Sequence, residues 1–125
     1  MTNDEKKTLQ ADPDGLLTYE YIANHIGQPE MDLPWLVDNM IRTDGKGQFT
    51  ASAARYLSAI DPKGYAAEIS ELISATIHKD REHSYLPSLL RGIYGPDYGE
   101  HVEELSASDN NFRRIYKRLY PSAII

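Results

Sequence analysis

The sequence predicts an all-α fold, a compact bundle of about six helices. Three observations predict it. Apolar residues recur at i, i+3, i+4 and i+7 from Leu16 onward, the breaks between these stretches are rich in Gly, Pro and Asp, and the period-2 alternation of strands is nearly absent. With 41% hydrophobic and 26% charged residues, the chain has the composition of a globular protein that buries a core. Its 125 residues suit one domain.

Residues 1–15 have no apolar periodicity and end in Asp12-Pro13-Asp14-Gly15, so they read as a flexible N-terminal tail before a single helical domain over 16–125. Thr18 is placed to cap a first helix with Tyr19, Ile22, Ala23 and Ile26 inward and Gly27 as its stop. Asp32 caps a second, with Pro34 in its first turn and Leu36, Val37, Met40 and Ile41 on the apolar side. After a glycine-bearing loop over 43–48, Thr50 caps a third helix that carries Ala53, Tyr56, Leu57 and Ile60 and stops at Asp61-Pro62. The longest helix is expected from Pro62 to about Glu82, burying Ile69, Leu72, Ile73, Thr76 and Ile77. Leu86-Pro87 opens another with Leu89, Leu90 and Ile93, and a short one follows near Glu100 to Leu105. In the last helix, capped by Asp109 or Ser108, Phe112, Ile115, Tyr116 and Leu119 share one face, and Arg113, Arg114, Lys117 and Arg118 lie opposite.

The order of helix, Leu-Pro helix, glycine loop and capped helix occurs twice, which suggests two similar three-helix halves. Ile22 and Ile26 align with Ile73 and Ile77 at an offset of 51, Leu33-Pro34 with Leu86-Pro87 at 53, and Thr50 and Pro62 with Asp109 and Pro121 at 59.

Composition narrows function. Without cysteine, the chain builds no disulfide, thiolate nucleophile or thiolate metal site, and a reducing, cytoplasmic setting of bacterial type is expected. The polar N-terminus and the lack of a long apolar run argue against a signal peptide or membrane span. The net charge of -6 is uneven. Residues 1–106 hold nine Lys and Arg against eighteen Asp and Glu, whereas residues 107–125 hold four against one. An acidic body repels phosphate backbones, so nucleic acid is disfavoured as a general partner.

Leu17-Thr18-Tyr19-Glu20-Tyr21-Ile22-Ala23-Asn24-His25-Ile26-Gly27 resembles the opening helix and turn of the helix-turn-helix family. Leu33 and Leu36 fall where that family's second helix buries its apolar residues, and Met40 to Thr50 resembles a winged-helix hairpin. The resemblance covers 17–50 and implies DNA contact through Arg42 and Lys46; Pro34, Glu30, Asp32 and Asp38 depart from what a recognition helix needs. The loop Asp44 to Thr50 is similar to a degenerate EF-hand in its Gly47 and Phe49, but Arg42, Asp44, Lys46 and Ala53 stand at the ligand positions and imply no calcium. His78 and Glu82, expected at i, i+4 on one helix, lack a third metal ligand.

Arg113, Arg114, Lys117 and Arg118, interleaved with Phe112, Tyr116 and Tyr120, form the one basic patch visible in the sequence. Together with Arg42 and Lys46 they are the expected contacts to a partner. The expectation is a helical protein-interaction or regulatory module without cofactor, metal or catalytic site, which binds a protein or its own kind; a helix-turn-helix regulator is the alternative. The nine tyrosines fit contact surfaces, and the apolar end Ser122-Ala123-Ile124-Ile125 suggests packing on the core or on a neighbour.

Overall fold

Three aspartates organise the backbone. In the computed structural model, which describes residues 1–123, helices α1 (Asn3–Gln10) and α2 (Leu16–His25), α3 (Leu33–Thr43) and α4 (Gln48–Ile60), and α5 (Ala66–Lys79) and α6 (Leu86–Tyr94) are joined across Asp12, Asp44 and Asp80 respectively. A 3₁₀ turn, Tyr98–Glu100, leads to α7 (Val102–Ser108) and α8 (Asn110–Leu119). The fold is all-helical as expected, with eight α-helices rather than six among the described residues.

Each aspartate turns its carboxylate back onto the start of the next helix, where N–H groups lack intrahelical partners. Asp12 Oδ1 accepts from the N–H of Asp14 and Gly15, and Oδ2 from the N–H and hydroxyl of Thr18 at 2.9 and 2.7 Å. Asp44 accepts from the N–H of Lys46 and Gly47 on one oxygen and of Phe49 and Thr50 on the other, all at 2.9–3.0 Å. Asp80 accepts from Ser84, Tyr85 and Leu86 at 2.7–2.8 Å. All three are at most 5% exposed. A buried carboxylate is costly unless fully hydrogen-bonded, and here peptide N–H groups meet that requirement.

The residue three places after each aspartate is left-handed: Gly15 at φ 100°, Gly47 at 87° and His83 at 56°. Glycine adopts this region without a Cβ clash. Space matters too. A Cβ on Gly15 would lie 3.0 Å from Asp44 Cβ, and one on Gly47 would lie 3.4 Å from Asp80 Cβ. The first loop thus rests on the second and the second on the third, forming a row along one edge.

The helices follow that row in two layers. α1, α3 and α5 pack side by side, as do α2, α4, α6 and α8, while α2 meets α3 and α4 meets α5 across the layers. Ile22, Val37, Met40, Leu57, Ile73 and Leu90 are fully buried between them. The pattern breaks at the C-terminal end, where α8 packs on α5, α6 and α7. Phe112 and Ile115 are fully buried there, and Tyr94 and Tyr116 pack on the Phe112 ring at centroid distances of 5.0 and 5.6 Å.

Several expectations need correction. Residues 1–15, expected as a flexible tail, hold helix α1: Thr2 and Glu5 form a reciprocal capping box on it, Leu9 is buried, and Asn39 donates to the Leu9 carbonyl at 2.8 Å. The two three-helix halves are not the repeat, since the loops recur at Asp12, Asp44 and Asp80, 32 and 36 residues apart, rather than at 51 to 59. Thr18 and Thr50 are not caps but buried residues inside α2 and α4, with the preceding aspartates capping in their place. The segment Met40 to Thr50 is the end of α3, a loop and the start of α4, not a hairpin wing. The long helix spans Ala66–Lys79 because Asp61 accepts from Gly64 in a turn before it and Asp80 starts the next loop after it. Ile60, expected inward, is 46% exposed at the end of α4.

Candidate functional site

The expected contact residues divide into those the fold uses and those it leaves outward. Arg42 is used: its guanidinium donates to Asn39 Oδ1 at 2.6 Å and to the Gln10 carbonyl at 3.2 Å. Asn39 is 4% exposed and donates in turn to Thr18 Oγ1 and the Leu9 carbonyl, so Arg42 completes a polar network that ties the end of α1 to α2 and α3. Arg114 is used as well, with donors to Ser74 Oγ at 2.8 Å and to Asn111, clamping α8 onto α5.

Arg113, Lys117 and Arg118 are exposed on α8. Arg113 bonds only to Asn110 on its own helix, and Lys117 reaches the Ala123 carbonyl at 2.8 Å. Tyr116 and Tyr120, with ring centroids 4.6 Å apart, continue the aromatic ladder from Phe112 out to a Tyr120 that is 47% exposed. Cations beside aromatic rings form a surface suited to acidic groups. Of the apolar end, Ile124 and Ile125 lie outside the described residues.

Lys46 stands apart from α8. It is exposed at the tip of the second aspartate loop, on one wall of a cleft of about 630 Å³. The cleft runs between that loop and the third, and is lined by Gly45, Lys46, His78 to Glu82, Ser84 and Tyr85. The Lys79 ammonium donates into the fold, to the carbonyls of Ile41 and Asp44 at the end of α3. Burial pulls its pKa below the usual lysine value, partly offset by the Asp44 charge.

His78 and Glu82 do not share a helix face, because α5 ends at Lys79. Among the described residues, the three groups close enough to share an ion are Asp97, Glu100 and His101, with ligand atoms within 4.8 Å of one another. Asp97 and Glu100 are exposed, and His101 already pairs with Asp97 at 3.3 Å. This is the geometry of a solvated helix start. No helix of the described residues is long and apolar enough to cross a membrane.

Sequence reasoning missed the aspartate loops, although their signal was present. Asp12-x-x-Gly15-x-x-Thr18 and Asp44-x-x-Gly47-x-x-Thr50 share one spacing, with an aspartate to accept, a glycine for positive φ and a threonine to pack inward. Asp80-x-x-His83-x-x-Leu86 keeps only the aspartate. Comparison with protein families, characterised proteins and solved structures found no match, so function is read from the residues of this chain alone.

Proposed function

We propose that this chain is a small helical protein-interaction or regulatory module, acting by surface contact with an acidic protein partner and without a cofactor or catalytic step. The observation that carries the reading is the outward face of α8, where Arg113, Lys117, Arg118 and Tyr120 are exposed on a chain that is otherwise acidic. Such a face steers an acidic surface toward it, while the acidic remainder of the chain repels acidic bodies elsewhere. The row of stacked units supports the reading, because elements that rest mainly on their neighbours leave long faces free for a partner.

The test is the triple reversal Arg113→Glu, Lys117→Glu, Arg118→Glu, none of which bonds outside its own helix and C-terminal turn. Cross-linking of the native protein in its own extract, read by mass spectrometry, should place partner cross-links on α8, lost in the triple variant and kept when Glu20 is reversed on α2. A dimer in light scattering that dissociates with added salt and with the same triple reversal would make a second copy the partner. Unchanged cross-links in the triple variant would refute the role of α8.

A DNA-binding reading remains the second proposal, favoured by the packed pair α2 and α3, which follows the helix order of that family. Its outward groups on α3 are Pro34, Asp38 and Arg42, the last with its guanidinium engaged by Asn39 and the Gln10 carbonyl. Duplex binding that falls steeply with salt and is abolished by Lys46→Glu, while surviving the α8 reversal, would favour it over the protein-partner reading.

A further inference from the structure

The cleft between the second and third aspartate loops has a charge arrangement that the partner surface on α8 does not explain. We propose that it binds a phosphate monoester, held by Lys46 from one loop and Arg81 from the next, with His78 as a third donor. Among the described residues, neither the Lys46 ammonium nor the Arg81 guanidinium makes a hydrogen bond or ion pair, which is also true of Lys7, Lys63, Arg91 and Arg118; what sets these two apart is that they line one cleft from successive loops. Both side chains are exposed on the cleft wall.

The carboxylates that would neutralise them are turned away. Asp44 and Asp80 lie beneath the loop tips, at most 3% exposed, with their oxygens taken up by peptide N–H groups. Drawing those N–H groups inward pushes the residues one and two places after each aspartate outward, which is why Gly45, Lys46, Arg81 and Glu82 form the rims. Lys79, anchored beneath on carbonyl oxygens, adds positive potential while its own donors are engaged. Glu82 is the one free acid in the lining.

That balance selects the ligand. Two cations against one free acid favour an anion, and that balance doubles for a dianion, whose several phosphate oxygens can be shared between Lys46 and Arg81. A guanidinium offers a planar fork to phosphate oxygens and a lysine a compact point charge, the usual pairing for phosphate. The volume of about 630 Å³ lies within the range of small-ligand sites. At Gly45 even an added Cβ would meet nothing within 4 Å, so a ligand can approach the backbone there. The phosphate could belong to a free small molecule or to a phosphorylated side chain of a protein; the chemistry recognised is the same.

The experiment is a titration of the full chain, followed by amide NMR shifts, with phenyl phosphate, with a phosphoserine peptide and with benzoate as the monoanionic control. Saturable shifts at Gly45, Lys46, Arg81 and Glu82 are expected with the phosphates. Affinity should fall about tenfold or more in the double variant Lys46→Ala, Arg81→Ala, since two charge-assisted contacts are lost. Both side chains are free of internal bonds, so the double variant should keep its thermal midpoint, and the α8 triple reversal should leave binding unchanged. Equal affinity for the peptide and phenyl phosphate would identify a small-molecule source, and much tighter peptide binding a modified protein. Absence of saturation, equal affinity for benzoate, or binding that survives the double variant would overturn the proposal.

Discussion

The second and third aspartate loops solve one backbone problem with different residues. Asp44 and Asp80 both collect N–H groups from the first turn of the following helix, and both place the third residue on in left-handed conformation. At that position Gly47 packs against Asp80 and Lys79, where a Cβ would have 3.4 to 3.5 Å to its neighbours. His83 occupies the same place in the third loop at φ 56°. The Asp109 junction that follows is of another kind, with one backbone acceptor bond from Phe112 and one from the Tyr94 hydroxyl, so the row of like loops ends at His83. Glycine is required where the next loop leans on the position, and a side chain is admitted where the row stops. The carboxylate is common to both and is the organising group.

Four measurements test which group holds each loop. The largest effect is expected from Asp44→Ala, which strands four N–H groups at the start of α4 and should cost about 3 kcal/mol or more in urea unfolding; Asp80→Ala should cost a similar amount at the start of α6. A loss under about 1 kcal/mol in either would show that the carboxylate is replaceable. Next, Gly15→Ala should destabilise more than Gly47→Ala, because its Cβ would sit 3.0 rather than 3.4 Å from the next aspartate. Both should lose about 1–2 kcal/mol from positive φ, while His83→Gly should stay within about 1 kcal/mol of the parent, as relief of positive φ is offset by added freedom of the unfolded chain.

The third measurement is pH-dependent stability. Burial raises the Asp12 carboxyl, but bonds from Thr18, Gly15 and Asp14 outweigh it and hold its pKa below the ordinary value. A folded-state pKa below the unfolded one gives stability that is complete above the unfolded value and is lost as pH falls through the folded value, in the window below about pH 4. Asp12→Asn should therefore narrow the difference in urea midpoint between pH 7 and pH 3. The smallest effect is Tyr94→Phe, which removes a single 3.1 Å bond to Asp109 at the irregular junction and should cost about 1 kcal/mol by thermal unfolding. Burial, reinforced by the Asp109 charge, also raises the Tyr94 hydroxyl well above the ordinary tyrosine value.

Much of the core was legible. Leu36, Val37, Met40, Leu57, Leu72, Ile73, Phe112 and Ile115 were expected inward from their spacing and are fully buried, because a helix face opposite solvent leaves few choices for a large apolar side chain. The N-terminal helix was not legible, since α1 holds one buried apolar residue, Leu9, and owes its place to a capping box and the Asn39 bond. Of the candidate contacts, the outward side of α8 could be placed from periodicity. That Arg42 and Arg114 serve the fold could not, since their acceptors lie 32 and 40 residues away in the chain.

The helical class, the apolar stripes and the concentration of positive charge on the last helix follow from local sequence, because each depends on residues within a few turns of one another. That three aspartates turn inward, that their loops lie one upon the next, and that Lys46 and Arg81 face a common cleft depends on the packed chain. Such outcomes depend on which distant peptide groups come within hydrogen-bond reach, and only the packed chain sets those distances.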